Sequence, residues 1–416
     1  MIAPENITDN EGYLHLKAAG GTLNSCALLR GTRRLFLIFA CLLSVFGIPG
    51  WAAAEGNLHV GQLKIHPFFS LSDTVSDNIY STADEKKSDS IMTYTPGLEL
   101  ELPFGRHKAE VQYSTVMSRH EKYSGEDTTD NNAKGLVDFR FGGGLGLGLS
   151  DSYTAGHEPR SSSASGFIEK FKHNVEAVST SFTADRTKLQ FDFGKGAWDY
   201  QTSSFRNRDE TTFSGDLFYR FLPKTSAFIE YAHGNVAYDD PSLGLDSNAD
   251  TESVGLTWEI TAKSKGTIKA GFQQKKFESS SQENFKGWVS SIDLHHDFSK
   301  YIGLTLTGQR TVNEASVPGT SYLVTTGAFA ELSYTFIRKL ALLARGSYGV
   351  DDFSNPIPPD TITRKDQTSL GGLGINYTMR DWLTFGFDYN SRTRRSNFPA
   401  NDYKENSYVI SVKMAL

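Results

Sequence analysis

His157 stands four residues ahead of Ser161, with Ser162 and Ser163 following, and an imidazole near hydroxyls is the raw material of a hydrolytic centre. Such a centre also needs an acid to orient the base, and no spacing in the chain singles one out. A polar loop collects the same residues without any chemistry. His295-His296 offers two imidazoles to a metal, yet the pair falls inside an alternating stretch, where successive side chains go to opposite faces. One ring then belongs in a lumen and the other at an interface. Asp239, Asp240, Asp246, Asp250 and Glu252 bring hard oxygen donors to one segment, suited to the divalent cations that bridge lipopolysaccharide phosphates. They lack the spacing and central glycine of a calcium loop, so solvation is the plainer role. No catalytic, cofactor or metal site is expected, and the chain is not expected to be an enzyme.

Charged residues whose phase is set by a strand say more. Leu383, Phe385, Phe387 and Tyr389 form the apolar face of an alternating run, and extending that phase leaves Asp388, Arg392 and Arg394 on the other face. Gln190 and Asp192 alternate with Leu189, Phe191 and Phe193 in the same way, as Lys413 does with Val412 and Met414. If the apolar face meets lipid, these polar residues line a lumen, where basic groups attract anionic solutes through a focused field. Mixed charge in a lumen also serves as structural filling.

The elements that would position them follow an N-terminal export signal. Arg30, Arg33 and Arg34 precede a 14-residue apolar run, Leu35 to Ile48, and Pro49-Gly50-Trp51-Ala52-Ala53-Ala54 follows it. The run is too short for a membrane helix of about 20 residues, and the small residues fit a signal peptidase. Residues 1–54 are expected to be a signal peptide, with a translation start downstream near Leu28 or Leu29, and 55–416 the working domain. Cys26 and Cys41 both fall in the removed segment, so no disulfide or thiol site is expected. Cleavage takes four basic and three acidic residues from totals of 42 and 48, leaving a net charge of −7. That excess is too mild to nominate nucleic acid as a partner.

After Glu55 no apolar run reaches membrane-helix length, while short stretches alternate with period two. Leu189 to Phe193, Leu383 to Tyr389 and Tyr408 to Leu416 are examples, and such alternation marks strands with one apolar face. The connections separate a membrane barrel from a soluble sandwich. Tight turns recur at Phe104-Gly105-Arg106-His107, Gly142-Gly143-Gly144, Asp185-Arg186, Pro223-Lys224, Ala262-Lys263-Ser264, Ser299-Lys300, Ile337-Arg338-Lys339 and Arg380-Asp381. Polar loops lie near residues 74–88, 119–132, 155–170, 200–210, 236–250, 278–284, 314–320, 352–365 and 395–405. Short turns alternating with long loops are the asymmetry of outer-membrane barrels, whose turns are periplasmic.

Nine loops and eight turns join 18 strands. The weak segment 284–298 could be merged or split, which widens the expectation to roughly 16 to 18 strands. The expected fold class is all-β: a transmembrane, antiparallel, up-and-down β-barrel in the outer membrane, with both termini periplasmic. Lipid offers no hydrogen-bond partner, so the first and last strands must pair and close the wall. Tyr408, Ile410, Val412 and Met414 give the final strand an apolar face resembling the C-terminal signal of barrel assembly, with Leu416 where Phe is usual. Phe193, Tyr219, Tyr231, Phe298, Tyr334, Phe336, Tyr377, Trp382 and Tyr389 suit interfacial girdles. Sugar stacking is the alternative for any aromatic ring that points inward.

Phe69-Ser70-Leu71-Ser72, Ser76-Asp77-Asn78-Ile79-Tyr80, Pro96-Gly97-Leu98-Glu99-Leu100 and Gly105-Arg106-His107, followed by Tyr113, form a connected pattern over residues 65–115. This opening resembles a family of outer-membrane β-barrel proteins encoded in bacterial exopolysaccharide gene clusters. The resemblance implies a periplasm-to-surface conduit for a nascent polysaccharide, working with a periplasmic polysaccharide-export protein and an inner-membrane synthesis machinery. It implies no catalytic residues. The motif residues read as structural, with Gly97 and Gly105 permitting sharp backbone geometry and Asp77-Asn78 a turn.

A passive export pore for an exopolysaccharide is therefore the first expectation, since a barrel of roughly 16 to 18 strands encloses an aqueous channel. A general or solute-selective diffusion porin is the alternative. It would need a constriction, and no loop stands out as one folded inside. A barrel hydrolase or an adhesin would need a catalytic cluster or an outsized external domain, and the chain offers neither. The expected partners are outer-membrane lipid and lipopolysaccharide, the barrel assembly machinery and, for export, the polymer and its periplasmic protein.

Overall fold

The computed structural model describes residues 58–162, 166–261, 263–314, 316–356 and 361–416. The expected signal peptide with Cys26 and Cys41 lies outside them, as does Ser163. A short β1 (Leu58–Val60) precedes β2 (Leu63–Ser76), β3 (Asp89–Phe104), β4 (His107–His120), β5 (Thr128–Arg140), β6 (Leu145–Glu158) and β7 (Glu169–Ala184). Then come β8 (Thr187–Tyr200), β9 (Arg208–Leu222), β10 (Thr225–Tyr238), β11 (Ser247–Thr261), β12 (Ser264–Phe277) and β13 (Phe285–Asp297). The wall is completed by β14 (Ile302–Glu314), β15 (Tyr322–Ile337), β16 (Leu340–Pro356), β17 (Thr363–Arg380), β18 (Leu383–Ser396) and β19 (Tyr403–Ala415).

Each strand pairs antiparallel with the next, and β19 pairs back onto β2, so β2 to β19 close an 18-strand barrel. The weak segment 284–298 is a single strand, β13. β1 folds onto the part of β2 that β19 does not reach, matching Leu58 to Ile65 and Val60 to Leu63. The eight tight turns gather at one end together with Leu58 and Leu416, and the loops gather at the other.

Several loops are shorter than the polar stretches suggest, leaving only residues 121–127, 201–207, 239–246 and 397–402 between strands, while the loop at 278–284 has the expected bounds. Strands of 13 to 18 residues exceed the about 9–11 that span a bilayer, so much of the polar sequence is strand continuing past the lipid. These loops share one closure, in which an Asp or Asn at the loop's end accepts a backbone N–H from its start. Asp127 takes that of His120 at 2.7 Å, Asn207 that of Tyr200 at 2.7 Å, and Asp246 that of Tyr238 at 2.8 Å. Asn284 does the same for Phe277 at 2.9 Å and Asp402 for Ser396 at 2.6 Å.

The alternation sorts side chains onto two faces, because directly paired residues share a face. Outward-facing Val254 and Leu373 are each 62 % exposed, and Ile229, Val111 and Phe191 keep them company. Leaving each such side chain in water would forfeit about 1.5–3 kcal/mol of burial, so the face belongs against lipid. Tyr113, Tyr153, Phe193, Phe213 and Tyr231 ring the loop end of this band, and Phe182, Tyr219, Tyr334, Phe336 and Tyr377 ring the turn end.

The N-terminal motif holds the barrel shut. Asp77 accepts the backbone N–H of Asn406 at 2.6 Å and also binds its side-chain amide, while the Asp77 N–H donates to the Asn406 carbonyl at 3.0 Å. Asn78, fully buried, donates to the carbonyls of Lys404 at 3.0 Å and Thr82 at 2.8 Å. Gly105, at φ +67°, does make a sharp turn. Gly97 has a different reason from the one its motif suggests: a Cβ there would lie 2.0 Å from the Phe68 ring, which crosses over it.

Candidate functional site

The lumen face of β15 to β18 carries three of the six groups expected to line a lumen. Asp388, Arg392 and Arg394 share one face of β18, opposite to exposed Phe387. Asp388 accepts from Arg345 of β16 at 2.6 Å, and Arg345 also reaches Glu331 of β15 at 2.5 Å. Asp388 is thus one member of a triad with Arg345 and Glu331 rather than a lone lumen charge. Arg394 lies over the Tyr403 ring at 4.9 Å and 3.9 Å from Asp366 of β17, which is itself clasped by Arg364 at 2.5 Å. Lys413 occupies the inward phase of β19, opposite Thr384 and Ser70.

Gln190 and Asp192 are on another part of the wall. Lys188 donates to Gln190 at 2.7 Å, and Gln190 donates to Asp192 at 2.9 Å. Buried Asp216 and Glu230 lie on the adjoining strands, with Lys269 of β12 3.2 Å from Glu230.

Two elements fold inside the wall, contrary to the expectation that no loop does so. The first is the segment after β6. Arg160 forks onto Glu126 with two bonds of 2.7 Å, caps the Gly166 carbonyl at 2.6 Å and lies over the Tyr80 ring at 4.6 Å. That fork holds the Arg160 guanidinium above its ordinary pKa, the Glu126 hydrogen bond being the largest cause. The next residue, Ser161, is buried, and its carbonyl accepts from Arg394 on β18. β19 and β2 to β5 intervene along the wall between β18 and β6, and Arg394 points inward, so the contact lies within the lumen.

The second is the tip of the β14–β15 hairpin. β13 and β14 pair only from Asp297 opposite Gly303 to Ser290 opposite Arg310. β13 nevertheless continues to Phe285 against β12, and β14 to Glu314 against β15. The hairpin parts from β13 there, while β15 stays paired with β16 as far as Leu323 opposite Phe353, and it leans inward, where Glu314 pairs with Lys275 of β12 and accepts from the Tyr238 hydroxyl at 3.1 Å. Val312, Tyr322 and Val324 pack with Tyr238, Leu245, Phe277 and Phe285 in one apolar cluster, and Ser321 donates to Gln282 at 2.6 Å.

The remaining sequence candidates disperse. His295 bonds Thr305 at 3.2 Å on the lumen side, while His296 sits edge-on to Phe298 at 4.7 Å on the outside. His157 bonds Asp130 at 2.9 Å. Asp240 accepts from Ser242, which holds its carboxyl below the usual range, and Asp250 accepts from Tyr231 at 2.7 Å and lies 2.8 Å from His233. Among the described residues no group of three or more His, Cys, Asp or Glu is placed to hold a metal ion.

Inward aromatic residues were not nominated by sequence. Trp198 and Tyr200 stack in parallel at 5.7 Å, with His173 flat on Trp198 at 3.6 Å and Arg208 5.1 Å from the same ring. Arg206 covers Tyr200 at 4.0 Å and forks onto Glu158 at 2.7 and 2.9 Å. These rings are already covered by protein, so they stiffen the mouth rather than offer open faces for sugars. Their inward phase, readable from Phe191 and Phe193, was the available signal.

In fold the barrel is similar to two crystal structures of Pseudomonas aeruginosa proteins. OccK1 (OpdK) matches with a TM-score of 0.50 and 10 % identity over 85 % of this chain and 99 % of that one. OccK2 (OpdF) matches with a TM-score of 0.50 and 10 % identity over 86 % and 99 %. No curated protein matches the sequence. Residues 53–416 match the family described as "Putative beta-barrel porin 2", and the closed 18-strand wall with its lipid-facing band agrees with that match, so the chain belongs to this family and is an outer-membrane β-barrel porin.

Proposed function

We propose that the barrel is a diffusion porin for small hydrophilic solutes. The observation that carries this reading is the double constriction, with Ser161 on Arg394 from one side and Glu314 on Lys275 from the other. Constrictions of this kind set a size limit, whereas an extended exopolysaccharide calls for an unobstructed lumen. Polymer export, the first expectation from the N-terminal motif, is therefore set aside in favour of its alternative.

Charge placement supports selectivity within that reading. Arg345, Arg364, Arg392 and Arg394 belong to β16 to β18, while Asp192, Asp216 and Glu230 belong to β8 to β10. The two groups sit about eight strands apart in the closed wall of 18, nearly opposite each other. The charges are matched locally, Arg345 by Glu331 and Asp388, Arg364 by Asp366, and Glu230 by Lys269, so the wall presents ion pairs whose local fields orient dipolar solutes rather than select one sign of charge. Arg392, Arg394, Asp388, Gln190, Asp192 and Lys413 are proposed as lining residues on this basis. The turn end with both termini is assigned to the periplasm, by the short-turn asymmetry of such barrels.

Swelling of proteoliposomes holding the purified porin tests the reading. Small sugars and amino acids should enter, with uptake falling steeply as solute size grows. Passage of long oligosaccharides without a size limit would restore the export reading.

A further inference from the structure

We propose that the β14–β15 hairpin is a gate with two seats, one inside the lumen and one in the barrel wall. The proposal rests on the diffusion reading and adds to it a movable constriction. The inward seat is the one described above, with Glu314 on Lys275 and Tyr238. The second seat is the strand edge of β13 from Phe285 to Val289, which faces no β14 residue in the present ladder.

The two edges are matched. Continuing the existing register past Ser290 and Arg310 sets Thr311 opposite Val289, Val312 opposite Trp288, Asn313 opposite Gly287 and Glu314 opposite Lys286. Glu314 would then exchange one lysine for another. Lys286 is exposed on the outer face, 5.9 Å from the Phe272 ring, so it is available to receive the carboxylate. Alternation fits as well. In the zipped wall Val312, Val324 and Tyr322 take the outward phase beside Trp288, as girdle and lipid-facing residues do. Thr311, Asn313 and Thr325 take the inward phase, where polar residues belong.

Arg310 marks the pivot. Its Nε donates to the Trp288 carbonyl at 3.3 Å, its Nη1 donates to Thr326 at 2.8 Å, and its guanidinium lies 4.7 Å from the Trp288 ring. It therefore ties β13, β14 and β15 together at the last shared rung, so the tip can swing, carrying the end of β16 that stays paired with it from Val350 to Phe353, while the base stays in register. The exchange trades one ion pair and an apolar cluster for another ion pair and a run of ladder hydrogen bonds. Opposing terms of like size are what two populated states require. Zipping also removes an open strand edge.

The only cysteines in the chain, Cys26 and Cys41, precede the barrel domain, so introduced pairs can be read cleanly. Lys275→Cys with Glu314→Cys should trap the inward seat, and Lys286→Cys with Glu314→Cys should trap the wall seat. Both are oxidised in intact outer membranes and then measured in planar bilayers, with heat-dependent gel mobility showing that each variant is folded. Disulfides in both pairs are expected, with severalfold higher conductance for the Lys286 pair than for the Lys275 pair, and reduction erasing the difference. Failure of the Lys286 pair to form while the Lys275 pair forms fully would overturn the gate. So would two disulfides with equal conductance. Crosslink yield does not depend on any solute, so a reduced porin that passes no small sugar marks the separate failure of the diffusion reading.

Discussion

Arg394 on β18 donates to the carbonyl of Ser161, a residue 233 positions earlier on the far side of the seam between β19 and β2. A side chain that is half of a lumen pattern thus becomes the anchor of an inward segment. Arg394→Ala should free that segment. Loss of a hydrogen bond to a charged group costs about 1.5–3 kcal/mol, and the guanidinium is only 11 % exposed, so solvent offers little compensation. Single-channel recordings should show larger and noisier conductance than the native porin. An unchanged, quiet conductance would remove Arg394 from the constriction.

Arg345 compensates two carboxylates at once, Glu331 and Asp388. Arg345→Ala leaves both in the lumen without their cation, and a half-buried carboxylate pair repels anions and favours cations. The reversal potential in a salt gradient should move toward that of the cation. Adding Glu331→Gln and Asp388→Asn to the same chain should bring it back. A shift that persists in the triple variant would show that altered pore shape, not charge, is responsible.

The strands and turns were legible because period two and its interruptions are local. Phe385-Gly386-Phe387-Asp388 states its faces within four residues. Several loops extend less far than the polar residues suggest, since a residue such as Asp209 continues its strand beyond the lipid, where it pairs with Lys195 of β8 at 3.2 Å. The constriction was not legible at all. Val312, Tyr322 and Val324 have the phase of ordinary outward residues, and only the parting of β13 from β14 reveals that they pack inward. Likewise nothing near Ser161 announces a partner on β18. Contacts across a lumen join residues with no shared periodicity, so a pattern-based reading could place Arg394 but not what it holds.

Asp77 and Asn406 staple the first strand to the last through three hydrogen bonds. Asp77→Ala should lower the temperature at which the folded, fast-migrating barrel converts to the unfolded form on gels, by an amount corresponding to about 1–3 kcal/mol. Conductance should hardly change, because the staple lies on the wall and not in the passage. Equal thermal stability of the variant and native barrels would show that the backbone ladder between β2 and β19 closes the wall unaided.

Gly97 gives the sharpest steric test. The Phe68 ring lies where a Cβ would be, at 2.0 Å, and both residues face inward on directly paired positions of β2 and β3. Gly97→Ala should therefore destabilise the barrel, with overpacking typically costing about 1–3 kcal/mol. If crowding is the cause, Phe68→Ala in the same chain should recover most of that loss, since the ring that collides is gone. If instead the glycine serves backbone bending, as its place in the Pro-Gly-Leu motif suggests, the double variant will be less stable than Gly97→Ala alone. Urea-dependent refolding into lipid vesicles, compared across the single and double variants, separates the two causes.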